Sequence, residues 1–488
     1  MPRMLKDLAK CCRIEGNGDM SIAGVTADSR DVKPGYLFAA LPGTRVDGAR
    51  FIPDAVKAGA AAVLVGAGVE LPEMPPSVAV VRSDNAARAL ALIAARFYVH
   101  QPVTIVAVTG TNGKSSVAEF VRQIWAFMGF RAASMGTLGV FGPGLDDLGT
   151  THTTPDAVRL HETLAVMRKR AISHLAMEAS SHGLAQHRLD GVRLSAGAFT
   201  NLSRDHLDYH SSMEEYFSAK TRLFEELLNP SAGAVVNMDD EYGPKVAEVA
   251  ERRGLLVLRC GEAGQELRLV ERRLDGLGQQ LTIAGRKRRY KVFLPLTGGF
   301  QAENALVAAG LVIAAGGPEE EAVMALERLT GARGRMEMVG RTKAGAPVFV
   351  DYAHTPDALA VALDTLRPYA RGRLVVVFGA GGDRDAGKRP LMGQAARERA
   401  DVVIVTDDNP RSEDAAAIRA RIIEACPQAV EIGDRSQAIG EAMSMLEEGD
   451  VLLVAGKGHE TGQVIGDEVM EFSDHEEISR RLREEIGK

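Results

Sequence analysis

Residues 106–116 read Val-Ala-Val-Thr-Gly-Thr-Asn-Gly-Lys-Ser-Ser, an apolar run followed by a glycine-framed turn and a lysine. This order predicts a strand that leads into a phosphate-binding loop. Gly110 and Gly113 let backbone N–H groups point at phosphate oxygens, Lys114 adds a positive charge, and the hydroxyl of Ser115 can bind Mg²⁺. Nucleotide binding is therefore favoured over the alternative, a tight strand-to-helix turn with a chance lysine.

A helix is predicted directly after this loop. Apolar residues recur there at three- and four-residue spacing, at Val117, Phe120, Val121, Ile124, Trp125 and Met128. The generic nucleotide-loop pattern requires a glycine five residues before Gly113, where this sequence has Val108. The shorter loop resembles that of the Mur ligases and folylpolyglutamate synthetases, which are ATP-dependent amide-bond-forming enzymes.

Length and composition exclude several classes of protein. A chain of 488 residues is expected to form about three domains. The net charge of −7 argues against a nucleic-acid partner held by bulk electrostatics. The four cysteines, at positions 11, 12, 260 and 426, lack metal-ligand spacing. No apolar signal core opens the chain and no run approaches the ~18 apolar residues of a membrane span, so a cytoplasmic protein is expected.

The order of apolar segments predicts an α/β fold with three domains. A small N-terminal module is expected over residues 1–100, with a helix over about 85–98 and a boundary at Pro102. A central domain over 101–332 and a C-terminal domain over 333–488 follow. Their expected strands lie near 103–108, 174–178, 196–200 and 233–237, and near 348–350, 374–378, 402–405 and 451–454.

Each of the last four strands is followed by polar or glycine-rich residues. These endings are residues 351–354, 379–385, 406–411 and 455–460. In open parallel α/β sheets, ligands bind beyond the carboxyl ends of the strands. The four endings are therefore expected to converge on a second ligand site in the C-terminal domain.

Two polar groups of the central domain are candidates for metal chemistry. Glu178 ends an apolar strand and is expected to hold Mg²⁺ near the loop phosphates, although an isolated glutamate can also be structural. Residues 201–210 form a polar cluster rich in Asp and His, and a helix that carries Lys220 follows it. For both of these features, ordinary surface charge is the alternative.

Seven motifs together resemble the Mur ligases, which build peptidoglycan precursors, and they follow the family's order along the whole chain. They lie at residues 109–115, 177–184, 205–210 with 219–220, 334–337, 351–354, 408–411 and 456–460. Residues 28–30 and 34–48 resemble the family's uridine-diphosphate-binding domain. The resemblance implies a three-domain architecture with a P-loop-type central ATPase domain and a Rossmann-like C-terminal domain.

The resemblance also implies a reaction. ATP would phosphorylate the D-glutamate carboxylate of UDP-N-acetylmuramoyl-L-alanyl-D-glutamate, and an amino group of meso-diaminopimelate would attack the resulting acyl phosphate. Small molecules would be the partners of the chain, which is expected to act as a monomer. Phosphoryl transfer to a carboxylate brings negative oxygens together and needs cations. Lys114 and two Mg²⁺ ions would supply them, and a carbamylated Lys220 would be a metal ligand.

Family positions carry over residue by residue. Catalytic roles fall on Lys114, His206 and Lys220. ATP binding falls on Gly110, Thr111, Asn112, Gly113, Lys114, Ser115, Ser116, Asn304, Arg335 and Asp351. Binding of the UDP-muramyl dipeptide is assigned to Ser29, Thr44, Arg45, Val46, Thr153, Thr154, Ser180, Gln186 and Arg188. Binding of diaminopimelate is assigned to Arg384, Asp408, Asn409, Pro410, Arg411, Gly456 and Glu460. Metal binding falls on Ser115, Glu178, His206 and Lys220 as its carbamate.

One residue departs from the family pattern and another would decide the substrate. After Phe300 the family commonly has Asn, whereas this chain has Gln301, so only Asn304 is carried over from this segment. Diaminopimelate differs from lysine by a distal carboxylate, which Arg411 and Arg384 could bind. A structural ion pair is the alternative role for Arg411.

Three other functions compete with this interpretation. A lysine-adding ligase and a folylpolyglutamate-type ligase belong to the same superfamily, and the Asp-Asn-Pro-Arg loop and the uridine-type N-terminal domain count against both. A P-loop regulatory or motor NTPase belongs to a different class. It would leave the predicted amino-acid site and Lys220 without a role.

Overall fold

A computed structural model describes residues 3–43, 47–149, 153–203, 209–210 and 212–486. The chain divides into two compact units. The first unit comprises residues 1–270, 283–290 and 303–325, and the second comprises residues 271–282, 291–302 and 326–488. Within the described ranges, no helix is long and apolar enough to cross a membrane.

The N-terminal part of the first unit is a small α/β sandwich. Its elements are β1 (Arg3–Met4), α1 (Leu5–Leu8), β2 (Arg13–Glu15), β3 (Ser21–Ile22), β4 (Gly24–Thr26), β5 (Tyr36–Ala39), α2 (Ile52–Lys57), β6 (Ala62–Gly66), β7 (Ala79–Ser83) and α3 (Ala86–Tyr98). Strands β4 to β7 are parallel, in the order β2-β7-β6-β5-β4. Alternate strand residues enter separate apolar clusters on the two faces, as expected for a sheet covered on both sides. The predicted helix over 85–98 is confirmed, with Asn85 capping it.

A larger sheet follows. Its elements are β8 (Thr104–Thr109), α4 (Lys114–Phe127), β9 (Ala132–Gly136), β10 (Gly139–Phe141), α5 (Ala157–Lys169), β11 (His174–Glu178), α6 (Ser181–Ala185), β12 (Ala196–Phe199), α7 (Met213–Arg222), β13 (Gly233–Asn237), α8 (Gly243–Arg252), β14 (Leu256–Gly261), β15 (Leu267–Asp275), β16 (Gly278–Ala284), β17 (Arg289–Leu294), α9 (Gly299–Ala314) and α10 (Glu319–Met324). The strand order is β10-β9-β11-β8-β12-β13-β14-β15-β16-β17.

This order places the phosphate loop between two other strand ends. Strand β8 pairs in parallel with β11 on one side and with β12 on the other. In these registers Glu178 lies opposite Val108, and Phe199 lies opposite Thr109. Helix α4 buries the predicted apolar face and ends at Phe127, with the half-buried Met128 as its C-cap.

The second unit contains a six-stranded sheet. Its remaining elements are β18 (Glu337–Arg341), β19 (Pro347–Asp351), α11 (Pro356–Leu366), β20 (Leu374–Phe378), α12 (Lys388–Arg399), β21 (Val402–Val405), α13 (Ala415–Ile423), β22 (Val430–Glu431), α14 (Arg435–Ser444), β23 (Val451–Ala455), β24 (Gly462–Ile465), β25 (Glu468–Glu471) and α15 (Asp474–Ile486). The order is β18-β19-β23-β20-β21-β22, and only β18 is antiparallel to its neighbour.

The eight strands predicted for the central and C-terminal domains are confirmed, each within one residue at either end. The four predicted C-terminal strands are adjacent and parallel in the order β19-β23-β20-β21. Their carboxyl ends therefore lie along one edge of the sheet, as expected. The sheet is buried on both faces by separate apolar clusters.

Candidate active site

The loop after β8 requires glycine at two positions. Gly110 has φ +149° and Gly113 has φ +85°, backbone conformations that L side chains rarely adopt. A Cβ at Gly110 would overlap the hydroxyl of Thr200, and a Cβ at Gly113 would overlap the side-chain oxygen of Asn304. Close packing as well as backbone conformation therefore excludes a side chain here, and Asn304 lies beside the loop.

The segment after β12 holds the loop in place. The backbone N–H of Thr111 donates to the carbonyl of Asn201 at 2.9 Å, and the N–H of Asn112 donates to the Asn201 side chain at 2.9 Å. The hydroxyl of Thr200 donates to the carbonyl of Asn112 at 2.6 Å. Sequence reasoning assigned no role to Thr200, although it is the last residue of a predicted strand.

Lys114 folds back over its own loop. Its Nζ donates to the carbonyl of Gly110 at 3.0 Å and to that of Thr111 at 2.8 Å. Lys114 is the first residue of α4 and Ser116 is buried in the same turn. The ammonium group and the N-terminus of the helix therefore meet at the loop, where both favour an anion.

Ser115 and Glu178 meet beside the loop. The hydroxyl of Ser115 donates to Glu178 Oε1 at 2.9 Å, and the same oxygen accepts the backbone N–H of Thr137 at 2.8 Å. Thr137 Oγ1 donates to Glu178 Oε2 at 3.1 Å. Glu178 is 2% exposed, and among the described residues the groups that donate to its carboxylate are neutral. This buried oxygen cluster suits a hard divalent cation.

The residues predicted for the dipeptide form a connected group next to Glu178. The hydroxyl of Thr153 contacts that of Thr137 at 2.9 Å, and Thr154 Oγ1 donates to the carbonyl of Glu178 at 3.1 Å. Ser180 donates from both its N–H and its hydroxyl to Thr154 Oγ1, each at 3.1 Å. The hydroxyl of Ser180 also caps α6.

Arg188 and Gln186 close the other side of this group. Arg188 Nη1 donates to the carbonyl of Thr154 at 2.6 Å, and Arg188 Nη2 donates to Gln186 Oε1 at 2.6 Å. Gln186 Nε2 in turn donates to the hydroxyl of Tyr209 at 3.0 Å. Burial lowers the pKa of Arg188, while Asp156 and Tyr209 oppose that shift.

Helix α7 brings two side chains to the phosphate loop. Lys220 is 1% exposed, and its Nζ donates to the carbonyl of Gly110 at 2.6 Å. The hydroxyl of Tyr216 lies 3.2 Å from Thr111 Oγ1, and the Lys220 ammonium lies 4.4 Å from the Tyr216 ring centre. Lys220 is therefore a buried amine aimed at the loop.

Some predicted residues lie apart from this group or outside the described chain. Ser29 opens a short 3₁₀ turn after β4, capped by Asp28. His206 and the segment Thr44, Arg45 and Val46 lie outside the described residues. Their assignments stay predictions.

In the second unit, Arg335 and Asp351 belong to one local cluster. Asp351 accepts the backbone N–H of Met336 at 2.6 Å and that of Ala353 at 2.8 Å. Burial raises the pKa of Asp351, although the charge of Arg335 opposes this shift. The Arg335 guanidinium lies 4.6 Å from the ring centre of Tyr352. Such a planar cation and aromatic ring can flank a nucleotide base or phosphate.

The residues predicted for the amino acid converge at the ends of β21 and β23. Asn409 Nδ2 donates to Glu460 Oε2 at 2.9 Å. A Cβ at Gly456, where φ is +112°, would lie 2.6 Å from Asp408 Oδ2. Lys457 is fully buried between these strand ends, and its Nζ donates to Asn409 Oδ1 at 3.0 Å and lies 3.4 Å from Glu460. Sequence reasoning missed Lys457, although it lies inside a recognised motif.

A β-hairpin formed by β24 and β25 fixes the loop that carries Arg411. The N–H of Arg411 donates to the carbonyl of Val464 at 3.0 Å, and the N–H of Gly466 donates to the carbonyl of Arg411 at 2.7 Å. This pairing holds Arg411 at φ +52°, and its Nη1 donates to the carbonyl of Gly382 at 2.8 Å.

Two further residues complete this part of the site. A Cβ at Gly382 would overlap the carbonyl of Pro410, so the glycine-rich segment and the Pro410 turn pack directly together. Arg384, on the same glycine-rich segment, is exposed. The structure thus brings together Asp408, Asn409, Gly456 and Glu460 and places Arg411 against the segment that carries Arg384.

A glycine-lysine-serine loop follows a strand in the parallel part of one sheet, and polar residues follow the parallel strands of a second sheet, which is the arrangement of a P-loop-type nucleotide-binding α/β protein. Three family models match in order: "Mur ligase family, catalytic domain" at residues 21–98, "Mur ligase middle domain" at 108–312 and "Mur ligase, glutamate ligase domain" at 334–458. The chain belongs to the Mur ligase family.

Similar proteins share this assignment over nearly the whole chain. UDP-N-acetylmuramoyl-L-alanyl-D-glutamate–2,6-diaminopimelate ligase of Bradyrhizobium diazoefficiens is 54% identical over 474 residues, covering 96% of each chain. The protein of the same name from Caulobacter vibrioides is 54% identical over 470 residues, covering 95% of this chain and 96% of its own. A solved structure of a diaminopimelate ligase of that name matches with a TM-score of 0.72 at 33% identity over 100% of both chains.

Proposed function

We propose that this Mur ligase adds meso-diaminopimelate to UDP-N-acetylmuramoyl-L-alanyl-D-glutamate at the expense of ATP. Relatives named for this reaction are 54% identical to this chain in sequence, and this identity carries the proposal. The products would be the UDP-muramyl tripeptide, ADP and phosphate. Such a reaction belongs to peptidoglycan precursor synthesis in the cytoplasm, and we propose that the chain acts as a monomer.

The phosphate loop would bind ATP through its backbone. Residues 110–116 would surround the phosphates, with Asn304 beside Gly113. Lys114 would leave the carbonyls of Gly110 and Thr111 and turn toward the phosphates, because an anion offers it a stronger partner. We also assign Arg335 and Asp351 to ATP binding.

Mur ligases use ATP and Mg²⁺. The buried oxygens of Ser115 and Glu178 fit such an ion, because both are hard ligands and the carboxylate accepts from neutral donors. Bound Mg²⁺ would neutralise charge on the transferred phosphoryl group. We assign Ser115, Glu178, His206 and carbamylated Lys220 to two such ions.

Lys220 has the burial and direction that a carbamate ligand requires. Its neutral amine would attack CO₂, form an N–C bond and release a proton, which converts an ammonium into an anionic oxygen ligand. Only 1% of Lys220 is exposed and its Nζ lies 2.6 Å from the Gly110 carbonyl, so a carboxylate added there would face the phosphate loop. An unmodified ammonium at this position would repel a metal ion.

The dipeptide substrate would extend from the uridine site to the phosphate loop. Ser29 and residues 44–46 would hold the uridine nucleotide. Thr153, Thr154, Ser180, Gln186 and Arg188 would hold the muramyl dipeptide. The hydrogen bond from Thr154 Oγ1 to the carbonyl of Glu178 links this group to the proposed metal site. The guanidinium of Arg188 is the cation in this group available for a substrate carboxylate.

We call the group of residues at the ends of β21 and β23 the crevice of the second unit. It would bind both ends of the diaminopimelate molecule. Asp408, Glu460, Asn409 and Gly456 would bind one ammonium and carboxylate pair, while Arg411 and Arg384 would bind the distal carboxylate. Arg411 now donates to a backbone carbonyl, a neutral acceptor that a carboxylate would outcompete. Lysine lacks that carboxylate and would leave a guanidinium without its partner.

Phosphate release and product mass test the proposed reaction. Purified protein is incubated with ATP, Mg²⁺ and the UDP-muramyl dipeptide, together with meso-diaminopimelate, L-lysine or no amino acid. Release only with diaminopimelate, accompanied by the tripeptide mass, is expected. Release with lysine would overturn the specificity, and release that does not need the dipeptide would favour a regulatory NTPase.

The variant Arg411→Ala tests the basis of that specificity. Its KM for diaminopimelate is expected to rise by about 100-fold, because the distal carboxylate loses a charge-assisted pair, while KM for ATP stays unchanged. Steady-state kinetics with each substrate varied separately measures both values. Equal losses for both substrates would show that Arg411 supports the fold instead.

A further inference from the structure

Asp190 is a buried carboxylate to which arginines from two other segments donate. It is 3% exposed and lies in the turn after α6. Arg222 of α7 donates through Nη2 to both of its oxygens, at 2.9 and 2.7 Å. Arg88 of α3 donates to the same carboxylate at 3.1 Å. Segments that lie 32 and 102 residues from Asp190 in sequence therefore share one anion.

Arg222 also braces the turn that precedes Asp190. Its Nη1 donates to the carbonyl of Leu184 at 2.9 Å, near the end of α6. Gln186 and Arg188, which we assign to the dipeptide, lie between Leu184 and Asp190. One guanidinium thus holds both ends of the turn that presents those two residues.

The opposite side of α7 faces the phosphate loop. Residues two apart on an α-helix leave it roughly 200° apart, so Lys220 and Arg222 point in opposing directions. Lys220 contacts the carbonyl of Gly110, and Tyr216 contacts Thr111. The position of α7 therefore sets the position of Lys220, and the Asp190–Arg222 pair holds α7 from behind.

The electrostatics of Asp190 agree with a firmly held ion pair. Burial alone would raise the pKa of Asp190, but hydrogen bonding to His187 and the charge of Arg222 outweigh it, and the net shift is downward. Loss of Arg222 would leave the buried Asp190 carboxylate with Arg88, whose side chain is 56% exposed, as its remaining arginine partner among the described residues. The geometry of three linked segments would then relax together.

We propose that Asp190 and Arg222 are positioning residues that hold Lys220 and the Gln186–Arg188 turn in register with the phosphate loop. Neither side chain would touch a substrate. The consequence for catalysis rests on the proposed function, whereas the mechanical link between α7, the turn and the loop does not.

The chain offers a control for the loss of an arginine that pairs with a buried carboxylate. Arg373 of the second unit donates to Asp450 at 3.1 and 2.6 Å and to the carbonyl of Met445 at 2.5 Å. Asp450 is 2% exposed. Arg373 thus shares with Arg222 one buried carboxylate and one carbonyl, at a place to which we assign no substrate. The two differ in that Arg222 also pairs with Glu226 at 3.0 Å, and the Arg373 side chain is more exposed, 39% against 9%.

The experiment compares Arg222→Gln, Arg222→Lys and Arg373→Gln in the full chain by thermal denaturation, steady-state kinetics and hydrogen exchange. Arg222→Gln is expected to lower kcat by about 10- to 100-fold and to raise KM for the dipeptide, because misplacement of reacting groups by about 1 Å has effects of that size. Amide exchange is expected to rise in residues 109–116 and 180–190. Arg222→Lys keeps the charge and is expected to recover part of both losses.

Each outcome decides the proposal. Arg373→Gln is expected to lower the melting temperature without changing the kinetic constants or exchange in those two segments. Unchanged kinetics in Arg222→Gln, or unchanged exchange in residues 109–116, would overturn the positioning role. If the wild-type protein formed no tripeptide, the proposed function would fail. Hydrogen exchange would still test whether Arg222 holds α7, the Gln186–Arg188 turn and the phosphate loop together.

Discussion

The phosphate loop of the first unit is shaped by its backbone, whereas the crevice of the second unit is shaped by buried side chains. Gly110 and Gly113 adopt positive φ in the loop, and neighbouring atoms exclude a Cβ at both positions. In the crevice, Lys457 orients Asn409, and Asn409 contacts Glu460. The loop would recognise phosphate, which is the same in every nucleotide, whereas the crevice must distinguish between similar amino acids.

This difference has a physical reason. Backbone N–H groups bind phosphate with little dependence on side-chain identity, so a short local segment is sufficient. Discrimination between amino acids needs charged groups at fixed separation, and strand ends from distant parts of the chain supply them. Changes in the loop should therefore abolish turnover, and changes in the crevice should alter selectivity.

The largest effect is expected for Lys220→Ala. We expect kcat to fall by about 10³-fold, because a ligand for the cations that stabilise the transferred phosphoryl group is removed. Added short carboxylic acids should restore part of the rate by occupying the vacated space. Phosphate release with and without acetate or propionate measures both effects, and a variant of wild-type activity would contradict the assignment.

A second prediction isolates the shape of the loop. Gly113 and Gly129 share φ +85°, but a Cβ at Gly129 would meet no atom within 4 Å. Both alanine variants should lose about 1 kcal/mol of stability from backbone strain. Only Gly113→Ala should lower kcat/KM for ATP, by about 100-fold, because the loop and Asn304 must move apart. Equal kinetics in the two variants would show that the loop tolerates a side chain.

The same difference explains how much the sequence predicts. The loop is contiguous, so its glycines, Lys114 and Ser115 can be recognised from the order of residues alone. Glu178 was also accessible, because it ends a strand and parallel strand ends meet at one edge. Thr137 was not, because its contact with Glu178 depends on the register of β9 and on the turn after it.

The sequence also does not predict which charged residues are buried. Lys457 and Asp190 look like ordinary surface charges in the sequence, and no local pattern indicates that they are buried. Their partners Asn409 and Arg222 lie 48 and 32 residues away. Only the packing of the sheets and helices brings these groups together, so periodicity gives no signal for them.

A smaller effect is expected for Lys457→Met, which would test the crevice. Met nearly preserves the volume of the aliphatic stem but removes one of two donors to Asn409 Oδ1, the other being the N–H of Val464. KM for the amino acid should rise by about 10-fold, because one hydrogen bond to a charged group orients Asn409, while KM for ATP stays constant. Kinetics with each substrate varied in turn measures this, and parallel increases in both KM values would contradict it.

The smallest effect concerns the pH dependence of stability in the first unit. Burial lowers the pKa of His161 from its ordinary value of 6.5 to about 4, although its hydrogen bond to the carbonyl of Asp190 opposes the shift. Between these values the unfolded chain binds a proton that the folded chain does not, so acidification favours unfolding. The stabilisation is complete above pH 6.5 and is lost as the pH falls toward 4.

The variant His161→Gln should therefore flatten part of the stability profile. Gln cannot titrate, so the decline in unfolding free energy between pH 7 and 5 should become shallower than in the wild type. Urea denaturation at several pH values, followed by a probe in the first unit, measures the slope. His100→Gln, at an exposed histidine, is the control. If both variants kept the wild-type slope, the acid sensitivity of this unit would come from groups other than His161.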